Sequence, residues 1–163
     1  MAKDLDALLL HTLKDVYFAE NAIAKALPKM AKAAKNDNLR EAFETHLEQT
    51  KGQIKRLEQV FELLKQKPEA VECKAIKGLL EEGDEVASEF KGEPSLDAGL
   101  IAAAQAVEHY EIARYGAMRA WADQLGLDAV ADLLEQTLQE EENTDDLLTE
   151  MAEGVANREA EVV

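Results

Sequence analysis

Apolar residues recur every three or four positions through four long stretches of this chain, a period that suits one face of an α-helix and not a strand. The first seam is Leu5, Leu9, Leu13, Val16, Ile23, Leu27 and Met30, and the second is Leu39, Phe43, Leu57, Val60 and Leu64. Ile101, Ile112, Tyr115, Met118 and Ala122 form the third, and Val130, Leu134, Leu138, Leu148, Met151 and Val155 the fourth. The pattern predicts long helices over about 4–35, 38–66, 95–124 and 128–156, with a shorter or broken helix over about 69–90 that contains Gly78 and Gly83.

Punctuation agrees with these limits. The first helix is expected to end at Asn36-Asp37-Asn38 and the second before Pro68. Ser95 and Asp128 are the expected N-caps of the last two long helices, and Gly126 the left-handed residue between them. Residues Asn157 to Val163 are expected to fray. A short first turn makes helices one and two antiparallel, whereas the roughly 28-residue connection lets the third long helix run parallel to the second, as in ferritin-like four-helix bundles.

Eight Gly, three Pro and few β-branched residues support an all-α class, and 163 residues fit one domain, 1–163. Against 34 Asp and Glu stand 18 Lys and Arg, a net charge of −16 that sets the chain against nucleic acid and acidic membranes as partners. No apolar run reaches the roughly 20 residues of a membrane span. With Cys73 as its single cysteine and no basic, apolar leader pattern at its start, the expected compartment is a reducing cytoplasm.

Each seam is interrupted near its middle. Glu20 falls between Val16 and Ile23, His46, Thr50 and Gln53 between Phe43 and Leu57, Glu108 with Glu111 in the third seam, and Glu141 with Asp145 in the fourth. Carboxylates aimed into a core must share protons, find cations or bind metal, since burying one unpaired costs several kcal/mol. Counting outward from the two turns sets Glu20 level with Gln53, and Glu108 between Glu141 and Asp145. Gln53 follows Glu20 by 33 residues and Glu141 follows Glu108 by 33, so the two halves read as a repeat.

A di-metal bundle takes one carboxylate from each of two helices and Glu-x-x-His from each of the others. Here those motif positions hold Gln53 with Arg56 and Glu141 with Thr144, so part of the pattern is missing. His46 lies about 10 Å along the helix from Gln53 and joins the cluster only from one end, its other reading being a hydrogen-bonded core histidine. His11 and His109 fall off the seams. Arg56 offers a metal-free account, pairing with Glu20 or Glu141. Tyr17, Tyr110, Tyr115 and Trp121 flank the same level as packing residues or as an electron relay, and Cys73 reads as a small buried residue.

Five separated segments, Asp15 to Asn21 (DVYFAEN), His46 to Leu57 (HLEQTKGQIKRL), Cys73 to Gly83 (CKAIKGLLEEG), Gln105 to Gly116 (QAVEHYEIARYG) and Leu138 to Ala152 (LQEEENTDDLLTEMA), resemble the YciE/YciF family of bacterial ferritin-like stress proteins. The resemblance implies a ferritin-like bundle forming a homodimer or small homo-oligomer, linked to stress responses. It carries over Glu20, Glu108 and Glu141 as the acidic positions, with Gln53, Glu111 and Asp145 beside them.

Three readings follow. A site of iron or manganese, up to two ions per chain, would oxidise ferrous iron or reduce oxygen or peroxide. A non-enzymatic bundle would keep its buried acids paired with Arg56 or protonated, and act through oligomerisation or protein partners. Storage in a closed cage is the third.

Overall fold

The computed structural model describes residues 3–161. α1 spans Leu5–Ala33, α2 Asp37–Leu63, α3 Lys74–Glu89, α4 Leu96–Gln124 and α5 Asp128–Met151; a π-helical turn, Ala152–Ala156, and a short α6, Asn157–Glu159, follow. Among the described residues all regular structure is helical, and no helix is long and apolar enough to cross a membrane.

α1 packs on α2, α2 on α5, α5 on α4 and α4 on α1, which closes a ring of four long helices, while α3 lies outside against α4 and α1. Two apolar cores fix the directions. One joins Leu9, Leu13 and Val16 to Leu57, Phe61, Met118 and Leu134, and the other joins Ile23 and Leu27 to Phe43, Leu100, Val107 and Leu148. α2 and α4 therefore run the same way on opposite corners, every neighbouring pair in the ring is antiparallel, and α3 carries the chain back along the bundle. This is the ferritin-like four-helix bundle expected from the connection lengths.

Several ends differ from expectation. α2 stops at Leu63, five residues before Pro68, because Lys65 turns left-handed (φ 55°) and the Lys65 and Gln66 amides close on the Glu62 and Phe61 carbonyls. Residues 66–73 have no regular structure, the Val71 amide reaching the Lys14 carbonyl at 3.2 Å, so α3 starts at Lys74 rather than near 69. Cys73 is buried and caps that helix through its thiol, 3.4 Å from the Ile76 amide. Ser95 and Asp128 do not cap: Ser95 makes no side-chain bond to its helix, and Asp128 is already the first helical residue. Gly126 has the left-handed φ of 70° expected of it.

Asn36 caps α2 through the Asn38 and Leu39 amides. Buried Asp97 at the start of α4 accepts the Lys35 and Asn36 amides at 2.8 Å each, which pins the α1–α2 turn to the far pair of helices. Asn157–Glu159, within the segment expected to fray, continue as helix; Val162 and Val163 lie outside the described residues.

Candidate metal centre

The polar interruptions meet in one layer between the two apolar cores. Glu20 comes from α1, His46, Thr50 and Gln53 from α2, Glu108 and Glu111 from α4, and Glu141 from α5, all at most 4% exposed. The i, i+3 spacing of Glu108 and Glu111 and the i, i+4, i+7 spacing of the α2 set keep each group on its helix's inner face. Ligand atoms of His46, Glu108, Glu111 and Glu141 all lie within 4.8 Å of one another.

His46 enters this group directly. Its Nε2 is 3.0 Å from Glu108 and 3.8 Å from Glu141, while Nδ1 faces Gln49 at 3.2 Å. Glu141 is approached by Gln53 from one side and by His46 from the other, which brings His46 within reach of the cluster. Gln53 donates from Nε2 to Glu141 and, at 3.0 Å, to Glu140, which leaves its carbonyl oxygen free inside the layer. Tyr115 donates to Glu20 at 2.5 Å.

Asp145 does not join. It sits at the edge between α4 and α5, accepting from Gln105 at 3.2 Å and pairing with exposed His109 at 3.1 Å. Arg56 does not reach the buried acids either. Its guanidinium grips Glu140 at 2.8 and 3.1 Å and donates to Thr137 at 2.7 Å, so the expectation that Arg56 neutralises Glu20 or Glu141 is corrected. The side chain is drawn to a half-buried carboxylate one position along, where less desolvation is needed. Glu140 has no seam position to betray it; its spacing of three from Thr137 is the one sequence sign of a shared cradle. Of the flanking aromatics only Tyr115 touches the layer, since Tyr110 bonds Cys73 and Asp15, Tyr17 bonds Glu58, and Trp121 packs in the Leu13–Met118 core.

Burial pushes Glu20 up to about 8, with the Glu141 charge adding to it, and also raises Glu108 and Glu111 well above the usual carboxylate range. Burial alone would pull His46 down, but Glu108 and Glu141 outweigh it and hold the imidazole at about 10. Burial works against the Glu141 anion too, yet Glu108, His46, Glu111 and Gln53 together bring it below its ordinary value. At neutral pH the metal-free layer is thus an imidazolium and one carboxylate hub among protonated neighbours.

Six buried oxygens of this layer lack a hydrogen-bond partner: one each on Glu20, Gln53, Glu108 and Glu141, and both on Glu111. Native cores rarely tolerate such a concentration. Shared protons relieve the carboxylates in part; bound cations would relieve them all. Oxygen donors with one imidazole suit iron or manganese better than a thiolate-seeking metal.

The family model described as a domain of unknown function, DUF892, matches residues 4–161. Protein YciF of Escherichia coli (strain K12) is 45% identical over 160 residues, spanning 98% of this chain and 96% of its own. The crystal structure of the E. coli stress protein YciF superposes with a TM-score of 0.91 at 44% identity, covering 96% of this chain and 99% of that one. YcfI from Rhodopseudomonas palustris gives 0.87 at 50% identity, over 90% and 93%.

Proposed function

The chain belongs to the YciF family of ferritin-like proteins, DUF892, and from that premise we propose that its buried layer is a divalent-metal site of a stress-response protein. The observation that carries the reading is the set of six unpartnered oxygens converging from α1, α2, α4 and α5. Glu108, Glu111, Glu141 and His46 would hold a first ion, and Glu20 with the Gln53 carbonyl oxygen would extend the site to a second. Iron or manganese bound there would supply one-electron chemistry towards ferrous iron, oxygen or peroxide.

The chain's own residues set the terms. Metal uptake must release protons, because His46, Glu20, Glu108 and Glu111 all hold theirs in the metal-free layer. Tyr115 and Gln53 fix the orientation of Glu20 and Glu141, and Arg56 keeps Glu140 turned aside from the layer. Assembly as a homodimer or small homo-oligomer in a reducing cytoplasm, where Cys73 stays a thiol, completes the proposal.

Anaerobic loading with ferrous iron or manganese, followed by metal analysis and melting with and without chelator, tests it. One to two ions per chain, with a melting temperature raised by metal and restored by chelator, is expected. Glu141→Ala should abolish uptake. Retained stoichiometry in that variant, or no metal in the parent, would favour a metal-free bundle that keeps its acids protonated.

A further inference from the structure

A cavity of about 410 Å³ opens between α2 and α5 and runs inward to His46 and Glu108. Exposed Glu41, Thr45, Asn143 and Leu147 frame its mouth, and buried Ile23, Leu27, Phe43, Val107 and Leu148 form its inner walls. Met30 and Met151, adaptable side chains, flank it, and the π-helical turn that follows Met151 begins at its rim.

Size and polarity narrow the occupant. Water, oxygen and peroxide each need on the order of 30 Å³, far less than this volume, and a hydrated cation gains nothing from aliphatic walls. The volume falls within the roughly 300–1,000 Å³ typical of small-molecule sites. At the inner end two side chains, each at most 4% exposed, present polar atoms: Glu108 Oε2, which has no hydrogen-bond partner, and His46 Nε2, 3.0 Å from the other Glu108 oxygen. A carboxylate head would pass Glu41 and lie against Glu108 and Glu141, and an ammonium has no lone pair with which to accept from His46 Nε2. A hydroxyl offends neither, since it can accept from Nε2 and donate to Oε2.

We propose that this cavity binds a medium-length aliphatic molecule with an uncharged oxygen head, the head seated against His46 and Glu108 and the chain along the Ile23–Leu148 walls. As a substrate site this rests on the metal reading above; as a binding site it stands on the cavity alone.

Methionine-methyl carbon-13 NMR of the chelated full-length chain, titrated with 1-hexanol, 1-octanol and 1-decanol, tests it. Met30 and Met151 should shift saturably while Met118, packed in the other core, stays still. Affinity should rise roughly fourfold per added methylene until the cavity is filled, then level off. Ala104→Phe, and independently Ala42→Phe, should abolish the shifts while each keeps the parent's metal stoichiometry. Metal uptake with no alcohol-dependent shift, or with Met118 moving equally, overturns the cavity proposal and leaves the metal reading in place. Specific shifts without any metal uptake support the cavity proposal and overturn the metal reading. Shifts of Met30 and Met151 that track protein concentration and resist decanol would mean that a second copy fills the groove, and overturn the proposal.

Discussion

Glu20→Gln, made in the metal-free protein, should flatten the loss of stability as pH rises. Glu20 has an ordinary value of 4.5 and a folded one of about 8, so between these the folded state holds a proton that the unfolded chain gives up. Its stabilising contribution is therefore complete below about 4.5 and disappears as pH climbs through about 8. At about 1.4 kcal/mol per pH unit, and allowing for protons shared with Glu111 and Glu141, the loss between about pH 5 and 8 is on the order of 2–4 kcal/mol. For a chain of this size that is roughly 5–15 °C in melting temperature. His46 contributes a loss of the same sign that continues towards about 10, and the net charge of −16 adds general repulsion; both are common to the two proteins and largely cancel in the difference. Thermal melts of parent and variant in chelator, at half-unit pH steps, read the effect directly. Gln cannot ionise, so the variant should match the parent near pH 5 and exceed it near pH 8. Parallel curves across the range would mean that Glu20 is not held protonated by the fold, and the account of the layer would be wrong.

Tyr115→Phe removes the donor to Glu20 within a site that water cannot refill, and should cost about 1–3 kcal/mol in urea denaturation; an unchanged midpoint would refute the contact. Arg56→Gln should cost about 1–2 kcal/mol through the lost Glu140 grip and leave metal stoichiometry intact, whereas loss of metal would put Arg56 back among the residues that set up the site. Gly99→Ala would place a Cβ 2.6 Å from a Val86 methyl where α3 crosses α4, with an expected destabilisation of about 1–3 kcal/mol; the double variant with Val86→Ala should recover most of it, and no recovery would argue against that close approach.

The apolar seams, and the acids that interrupt them, are legible in the sequence because helix period is a local property. Glu20, Glu108, Glu111 and Glu141 each stand where their own helix's core-facing stripe demands an apolar residue, so their burial could be read one helix at a time. The long connection similarly marked α2 and α4 as parallel, since only a chain that returns along the bundle needs that length. Helix ends were less legible. Ser95 and Asp128 have the right chemistry for caps, but a cap depends on the backbone angle at which the chain enters the helix, and packing of the preceding segment sets that angle.

Which polar groups meet across helices was decided by tertiary structure alone. Register counted from the turns placed Glu20 near Gln53 but could not say that His46 meets Glu108 and Glu141 across the bundle while Asp145 stays with His109. Arg56 chose Glu140 over the buried acids because desolvation depends on how deeply each carboxylate sits, a three-dimensional quantity. The cavity beside His46 is likewise a property of five helices at once, formed where α2 and α5 leave space that no single seam records. Sequence alone determined which faces are buried, because the 3.6-residue period is written along each helix. The protein's chemistry depends on side chains a few ångströms apart on different helices, and only packing of the whole bundle sets those distances.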